Sequence, residues 1–290
     1  MSALYKAEYS RYLRNFSDYS VRVFEKVTTA SNLAEAMKYS FFAGGKRIRP
    51  VLMLACSEYL GGRDAEVLPF AFALECVHTY SLIHDDLPAL DNDVLRRGKP
   101  TCHTKFDEAT AILAGDALLN LAFEHILSNI YDKRGIEAAK IFADYAGFSG
   151  MLGGQKSDIE HEKSGELNED VLNGIYSLKT GRFLTLPFLV PTMLFKPALS
   201  ADAVSAGGIL GKLFQYADDL SDEVKSSLQI GKSAGKDKKA DKLTAVKVYG
   251  ADGVKSEMKE LLNNFKEKAK SLINSEFISG FIEEITEGLL

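Results

Sequence analysis

The sequence predicts an all-α protein, a single-domain bundle of about ten or more helices around an interior cavity. Three observations support this fold class. Apolar residues recur at the i, i+3/i+4, i+7 spacing of a helix face along almost the whole chain. No segment shows the convincing apolar–polar alternation of a strand, and Gly and Pro gather in the connectors. No Pro- or Ser-rich linker divides residues 1–290, so we expect one domain.

The predicted helices follow one another in order along the chain. The first covers residues 12–27 and carries its apolar face on Tyr12, Phe16, Tyr19, Val23 and Val27. The later ones cover residues 33–42, 48–60, 65–84, 109–130, 136–152, 171–178, 183–194, 201–224, 242–249, 254–265 and 276–290. Glycine pairs such as Gly44-Gly45 and Gly153-Gly154 mark the connectors.

Composition excludes several classes of function. The formal net charge of −5 gives no sign of a nucleic-acid or membrane-surface partner. The first residues lack a secretory apolar core, and no apolar run is expected to span a bilayer. We therefore expect a cytoplasmic protein without stable membrane insertion. Cys56, Cys76 and Cys102 lack metal-ligand or redox spacing, so we expect them to be buried and reduced.

Two acidic clusters lie inside apolar sequence. The first holds Asp85, Asp86 and Asp91, and the second holds Asp218, Asp219 and Asp222. Pro88 should end the first helix and let Asp91 return toward Asp85, whereas the second cluster has the spacing of one helix face. So many carboxylates repel one another unless a cation lies between them, and oxygen ligands suit Mg²⁺. The pattern predicts a metal-held diphosphate, and the alternative is a solvated helix end.

Basic residues lie in Gly-rich connectors near both acidic clusters. A mixture of planar guanidinium forks and point-charge ammonium groups suits a diphosphate. Taken singly, each of these residues is more often an exposed surface charge than a ligand, and their place beside both acidic clusters is what favours a diphosphate site. His78 could be either a hydrogen-bonded core residue or a ligand. The basic residues are Lys46, Arg47, Arg49, Arg96, Arg97, Lys179, Lys232 and Lys242.

These residues together resemble the trans-polyprenyl diphosphate synthase family, of the bacterial farnesyl diphosphate synthase type. The resemblance spans nearly the whole chain and implies the isoprenoid synthase fold, with a deep central cavity, and a homodimer. The matching motifs are Gly44-Gly45-Lys46-Arg47-Ile48-Arg49-Pro50, His84 to Asp93, Arg96 to Thr101, Gly153-Gly154-Gln155 with Asp158, Lys179-Thr180, Phe214-Gln215, and Asp218-Asp219 with Asp222.

The resemblance implies a role for each site residue. Three Mg²⁺ ions would be held by Asp85, Asp86, Asp91 and Asp218, with Asp219 and Asp222 in support. The leaving diphosphate of the allylic substrate would be stabilised by Arg96, Lys179 and Lys232. Isopentenyl diphosphate would be held by Lys46, Arg49, His78 and Arg97. The allylic cation or the leaving group would be bordered by Thr180, Gln215 and Lys242. No dedicated general base is offered, which agrees with proton loss to the released diphosphate.

Product length should depend on Tyr80 and Ser81, the residues five and four positions before Asp85. Tyr80 lies about 7.5 Å deeper along the helix axis, so its ring would form a floor after about two extensions and give farnesyl diphosphate. The alternatives are that Tyr80 is an ordinary core aromatic, or that the product is geranylgeranyl diphosphate.

Three other classes of protein compete with this interpretation. A class I terpene cyclase shares the first acidic motif and the all-α fold but has no need of a second diphosphate site. An HD-type phosphohydrolase would need further His ligands at metal spacing, and the chain has five His. A non-catalytic subunit of a prenyl synthase should have lost acids from one cluster, and both clusters are intact.

Overall fold

Helices make up nearly all of the regular structure. The computed structural model describes residues 2–28, 31–162, 168–229, 244–287 and 289–290. The predicted all-α class is confirmed. The helices are α1 (Ala3–Glu25), α2 (Leu33–Phe41), α3 (Ile48–Tyr59), α4 (Asp64–Asp85), α5 (Cys102–Lys105), α6 (Glu108–Leu127), α7 (Lys133–Ala146), α8 (Met151–Glu162), α9 (Glu169–Tyr176), α10 (Arg182–Phe195), α11 (Ser200–Gln229), α12 (Ala245–Ala269) and α13 (Ser275–Thr286). A π-helical turn (Ser177–Gly181) joins α9 to α10, and a 3₁₀ turn (Pro197–Leu199) precedes α11.

The chain divides into two compact units. One unit is Tyr9–Ala139, and the other is Lys140–Leu290 with the residues up to Glu8. The boundaries fall inside α1 and α7. The single domain over residues 1–290 stays a prediction, because compact units within one domain can give the same division.

The core of the Tyr9–Ala139 unit is built around α4, which packs against α2, α3 and α6. This helix is apolar on almost every side, and every residue from Val67 to Val77 is buried. Phe24, Phe41 and Phe72 form a ring cluster beside it, with centroid distances of 4.8, 5.4 and 5.6 Å. Aromatic pairs at such distances stabilise a core beyond the burial of their area. A well-packed α4 gives the first acidic motif a rigid support.

The Lys140–Leu290 unit is built around α11, which packs against α10 and α12. The π-helical turn also contacts α8 and α11. Gly250 interrupts α12 with a φ of 71°, a conformation that costs little without a Cβ. The two separate helices predicted at 242–249 and 254–265 correspond to the two helical stretches of α12 on either side of this kink, with residues 242–243 outside the described part of the chain.

The structure corrects the sequence predictions at two places. The helix predicted over 136–152 is wrong, because α7 ends at Ala146 and α8 begins at Met151. A Cβ on Gly150 would lie 2.0 Å from the Tyr145 carbonyl oxygen, so this tight junction requires glycine. The predicted absence of strands is also incomplete. Strand β1 (Leu95–Arg96) pairs antiparallel with β2 (Lys99–Pro100), and each is too short to show alternation.

Burial of the apolar segments tests two further predictions. The cysteines Cys56, Cys76 and Cys102 are free and buried, as predicted. By length and composition, however, α4 and α6 would be apolar enough to cross a membrane, which corrects the expectation that no run is long enough. In α4, 78% of the apolar window is buried inside the fold, and in α6 33% is buried.

Candidate active site

The first acidic motif folds back on the helix that carries it. α4 ends at Asp85, and the amide of Asp91 donates to the Asp85 carbonyl oxygen at 2.8 Å. The amide of Asp93 likewise donates to the Asp86 carbonyl oxygen at 3.2 Å. Asn92 has a positive φ of 52°, which asparagine tolerates better than most residues. The predicted return of Asp91 toward Asp85 is thus confirmed in the backbone.

Asp86 and Arg96 form an ion pair beside this loop. The Arg96 Nε lies 2.6 Å from Oδ1 of Asp86, whose residue is 3% exposed. Burial raises the pKa of Asp86, and the Arg96 guanidinium opposes that rise. Oδ2 of a second acid, Asp93, lies 3.7 Å from Nη2 of Arg96. The structure therefore joins a predicted metal ligand to a predicted diphosphate ligand.

The β1–β2 hairpin presents Arg97 at its turn. Arg97 and Gly98 both have positive φ, 53° and 73°, which matches the twist of a two-residue hairpin loop. The Arg97 guanidinium donates to the Gly44 carbonyl oxygen. A Cβ on Gly45 would lie 2.5 Å from Arg97 Cζ, so the glycine at this position makes room for the arginine.

Arg47 is held at the same place by a buried carboxylate. Its guanidinium pairs with Glu75, and the two side chains are 9% and 2% exposed. It also donates to the Phe41 carbonyl oxygen. Arg47 adopts a left-handed φ of 54° immediately before α3. Arg47 is one of the basic residues predicted from the sequence, although it was assigned to neither substrate, and Glu75 was not predicted.

His78 lies among these arginines. Burial, together with four nearby guanidinium charges, holds the pKa of His78 well below its usual 6.5. In order of influence the arginines are Arg49, Arg97, Arg47 and Arg96. The imidazole is therefore neutral, and the surrounding field is positive. The structure brings together four of the basic residues predicted from the sequence and the predicted ligand His78. Lys46 is exposed.

In the Lys140–Leu290 unit, the π-helical turn carries Lys179 and Thr180. The Lys179 ammonium lies 2.5 Å from Oδ2 of Asp158 on α8. The Thr180 hydroxyl donates to the Gln215 amide oxygen on α11. A Cβ on Gly154 would lie 2.2 Å from the Lys179 backbone nitrogen, so this glycine permits the close packing of α8. Single π-helical turns are frequent at functional sites.

The second acidic motif lies on α11, and its adjacent residues Asp218 and Asp219 have different surroundings. Asp218 is exposed, whereas Asp219 is half-buried. Asp219 Oδ2 accepts hydrogen bonds from the Tyr176 hydroxyl and, at 2.6 Å, from the Ala245 amide. Burial and the Asp219 charge raise the pKa of Tyr176, which therefore stays protonated. Asp222 belongs to α11, but its side chain lies outside the described part of the chain, as do Lys232 and Lys242.

A model of the family described as polyprenyl synthetase matches residues 30–277. The chain belongs to that family of prenyltransferases. Enzymes of this family join isopentenyl diphosphate to allylic diphosphates and are generally magnesium-dependent. The family resemblance drawn from the motifs is thus confirmed.

Individual members of the polyprenyl synthetase family show how specific the match is. Geranylgeranyl pyrophosphate synthase 4 of Arabidopsis thaliana is 40% identical over 252 residues, which are 81% of this chain and 65% of that protein. The chain thus spans less than two thirds of that relative. Farnesyl diphosphate synthase of Micrococcus luteus is 42% identical over 246 residues, 83% and 84% of the two chains. A geranyltransferase structure from Legionella pneumophila superposes with a TM-score of 0.85 at 27% identity, covering 98% of this chain and 96% of that one.

The described part of this family member contains no group of three His, Cys, Asp or Glu residues placed to hold a metal ion by themselves. Mg²⁺ usually takes one or two carboxylates and completes its shell with substrate phosphates and water. Asp85 and Asp91 form such a pair of carboxylate residues and offer only oxygen donors. They therefore fit a Mg²⁺ ion whose remaining ligands are substrate phosphates and water.

Tyr80, the predicted floor residue, is 3% exposed on α4. Its ring meets the His84 ring edge-on at 5.7 Å between centroids. Burial, and secondarily the Asp85 charge, raises the pKa of Tyr80 to about 12. The Ser81 hydroxyl donates to the His78 carbonyl oxygen at 3.0 Å. Tyr80 is therefore a buried ring within electrostatic reach of the first acidic motif.

Proposed function

We propose that this chain condenses isopentenyl diphosphate with dimethylallyl or geranyl diphosphate and releases diphosphate, with farnesyl diphosphate as the product. The arginine cluster around His78, in the same unit as the loop of Asp85 and Asp91, supports this best. It supplies a site for a second anion that a terpene cyclase does not need. Its positive field does not depend on a metal.

Isopentenyl diphosphate, in this proposal, binds to Lys46, Arg49, His78 and Arg97. Guanidinium forks match phosphate oxygens in pairs. A neutral His78 can donate a hydrogen bond without adding to the repulsion among the arginines. Glu75 holds Arg47 in place, so the site keeps its shape before substrate arrives.

The allylic diphosphate is proposed to bind with three Mg²⁺ ions, which would supply charge stabilisation of the leaving group when bound. The proposed metal ligands are Asp85, Asp86, Asp91 and Asp218, supported by Asp219 and Asp222. The proposed ligands of the diphosphate itself are Arg96, Lys179, Thr180, Gln215, Lys232 and Lys242. Before substrate arrives, Asp158 neutralises Lys179, and Asp86 neutralises Arg96.

The farnesyl product is proposed from the place of Tyr80, with Ser81 beside it. Geranylgeranyl diphosphate is the second candidate, because the relatives named above include a synthase of each product at similar identity, 40% and 42%. We also propose that the protein acts in the cytoplasm as a homodimer, so light scattering should give twice the chain mass of 31.8 kDa.

The proposal is tested by incubating the purified chain with Mg²⁺, isopentenyl diphosphate and each of three allylic partners, dimethylallyl, geranyl and farnesyl diphosphate. Phosphatase treatment and chromatography then identify the alcohols. Farnesol from the first two partners is expected, with no product in EDTA or from Asp85→Asn. Geranylgeraniol as the main product would refute the farnesyl proposal. The absence of any diphosphate release would refute prenyl transfer.

A further inference from the structure

Two hydrogen-bonded pairs join the segment that carries Lys179 to the helix of the second acidic motif. The Tyr176 hydroxyl donates to Asp219, and the Thr180 hydroxyl donates to Gln215. Within each segment the two residues are four positions apart, which is about one turn, so they lie on one face. The chain order of the pairs is reversed, as expected for antiparallel segments. Together the two pairs fix the register of the π-helical turn against α11.

Asp219 also joins this pair of segments to α12. Ala245 is the first residue of α12, and its amide donates to Asp219 at 2.6 Å and to the Tyr176 oxygen at 3.1 Å. The first amides of a helix lack partners within the helix and carry partial positive charge. A carboxylate placed there is favourable. Tyr176 and Ala245 are 5% and 0% exposed, so water competes little for these hydrogen bonds.

We propose that Tyr176 is a positioning residue, which acts through Asp219 to set the register between Lys179 and Asp218. This inference rests on the proposed function. Adjacent residues on a helix point about 100° apart. Asp219 held by two donors therefore leaves the exposed Asp218 to reach the metal-bound diphosphate. In this proposal Asp219 aligns the π-helical turn with α11, and Asp218 binds the metal.

The test compares two buried tyrosines. Tyr176→Phe removes the hydroxyl that contacts Asp219 and keeps the ring. Tyr216→Phe is the matched control, because its ring lies 6.3 Å from that of Tyr176 and its buried hydroxyl makes no hydrogen bond to Asp219. For each variant we would measure kcat, both KM values, and the thermal stabilisation by Mg²⁺ with inorganic diphosphate.

Tyr176→Phe should raise the half-saturating Mg²⁺ concentration of that stabilisation, and lower kcat, each by about tenfold, as for one charged hydrogen bond. The KM for isopentenyl diphosphate should not change, since its proposed ligands belong to the Tyr9–Ala139 unit. The Tyr216→Phe variant should match the wild type. Equal effects of the two variants, or a lower melting temperature with an unchanged Mg²⁺ titration, would overturn the inference.

Two further variants keep the inference testable if Tyr176→Phe does not fold. Ala245→Pro removes the second donor at a helix position where proline is tolerated, after the extended residue Thr244. It should raise the Mg²⁺ requirement in the same direction, and an unchanged requirement would overturn the inference. In an Asp219→Asn background, Tyr176→Phe should add no further shift, and additive shifts would also overturn it. A wild-type chain that makes no prenyl product would refute the proposed function alone, since the diphosphate titration needs no turnover.

Discussion

Replacing Tyr80 with Ala should lengthen the product. Tyr80 lies five residues before Asp85 on α4, which places it about 7.5 Å along the axis from the first acid. Cys76 lies one turn further and is 0% exposed. Without the phenol, the small Cys76 becomes the next side chain on that line, about 13.5 Å from Asp85. The depth open to a prenyl tail nearly doubles, so geranylgeranyl or longer products are expected.

The same change should reduce stability, and a second variant separates the two effects. Removing a buried aromatic ring costs roughly 3–5 kcal/mol, a large part of a typical total of about 5–15 kcal/mol. Tyr80→Phe keeps the ring, and the Tyr80 hydroxyl oxygen has no hydrogen-bond partner among the described residues. This control should therefore retain both the wild-type stability and the wild-type product.

The assay is chromatography of the alcohols after phosphatase treatment, at a temperature well below the melting temperature of the Ala variant. Wild type and Tyr80→Phe should give farnesol, and Tyr80→Ala should give longer alcohols with unchanged Mg²⁺ dependence. The reasoning is refuted if Tyr80→Ala is folded and active yet keeps the wild-type product spectrum, because the floor would then lie elsewhere.

Three further predictions address the Tyr9–Ala139 unit. Arg97→Gln should raise the KM for isopentenyl diphosphate by about tenfold or more and leave the KM of the allylic substrate nearly unchanged, because one bidentate contact is lost. Equal changes of both KM values in steady-state kinetics would reject the assignment of Arg97 to isopentenyl diphosphate. Glu75→Ala strands the buried Arg47 charge and should lower the unfolding free energy by roughly 3–5 kcal/mol. Glu58 pairs with Arg11, and both side chains are 49% exposed, so Glu58→Ala should cost at most about 1 kcal/mol. Urea titrations that rank the two variants equally would contradict this. Burial, with a smaller effect of a nearby lysine, lowers the pKa of His125 from 6.5 to about 4. As the pH falls from 6.5 to about 4, this residue takes up a proton in the unfolded chain before it does so in the folded one, and the unfolding free energy should fall. His125→Gln should flatten this pH dependence of stability, and an unchanged slope would contradict the prediction.

Helices with long periodic patterns were predictable from the sequence. The segment predicted over 48–60 is observed at Ile48–Tyr59. The prediction over 136–152 failed because the apolar pattern continues across Gly147 and Gly150, where close backbone approach breaks the helix. Periodicity reports which face is apolar, and it does not report such local crowding. The π-helical turn has no signature in the pattern for the same reason.

The residue types of the candidate site were predictable, and their partners were not. Sequence motifs indicated Lys179 and Asp219 without indicating that Lys179 pairs with Asp158 or that Asp219 accepts from Tyr176. These partners are 21 and 43 residues apart in the chain. Their pairing is decided by helix packing, which spacing along one helix cannot encode. The motif Gly153-Gly154-Gln155 with Asp158 was the one sequence signal that pointed to the partner of Lys179.

The charged groups around His78 and those at the π-helical turn differ in their balance of positive and negative charge. In our proposal, this difference explains why only the allylic substrate needs a metal ion. Around His78, four arginines act together, and Glu75 and Asp86 offset two of them, Arg47 and Arg96, so the cluster stays positive and can bind an anion directly. At the π-helical turn, Lys179 is already neutralised by Asp158, and the neighbouring Asp218 and Asp219 add negative charge. A diphosphate would be repelled there until divalent cations reverse the sign of the field. Isopentenyl diphosphate should therefore bind without Mg²⁺, whereas binding of the allylic diphosphate should require it.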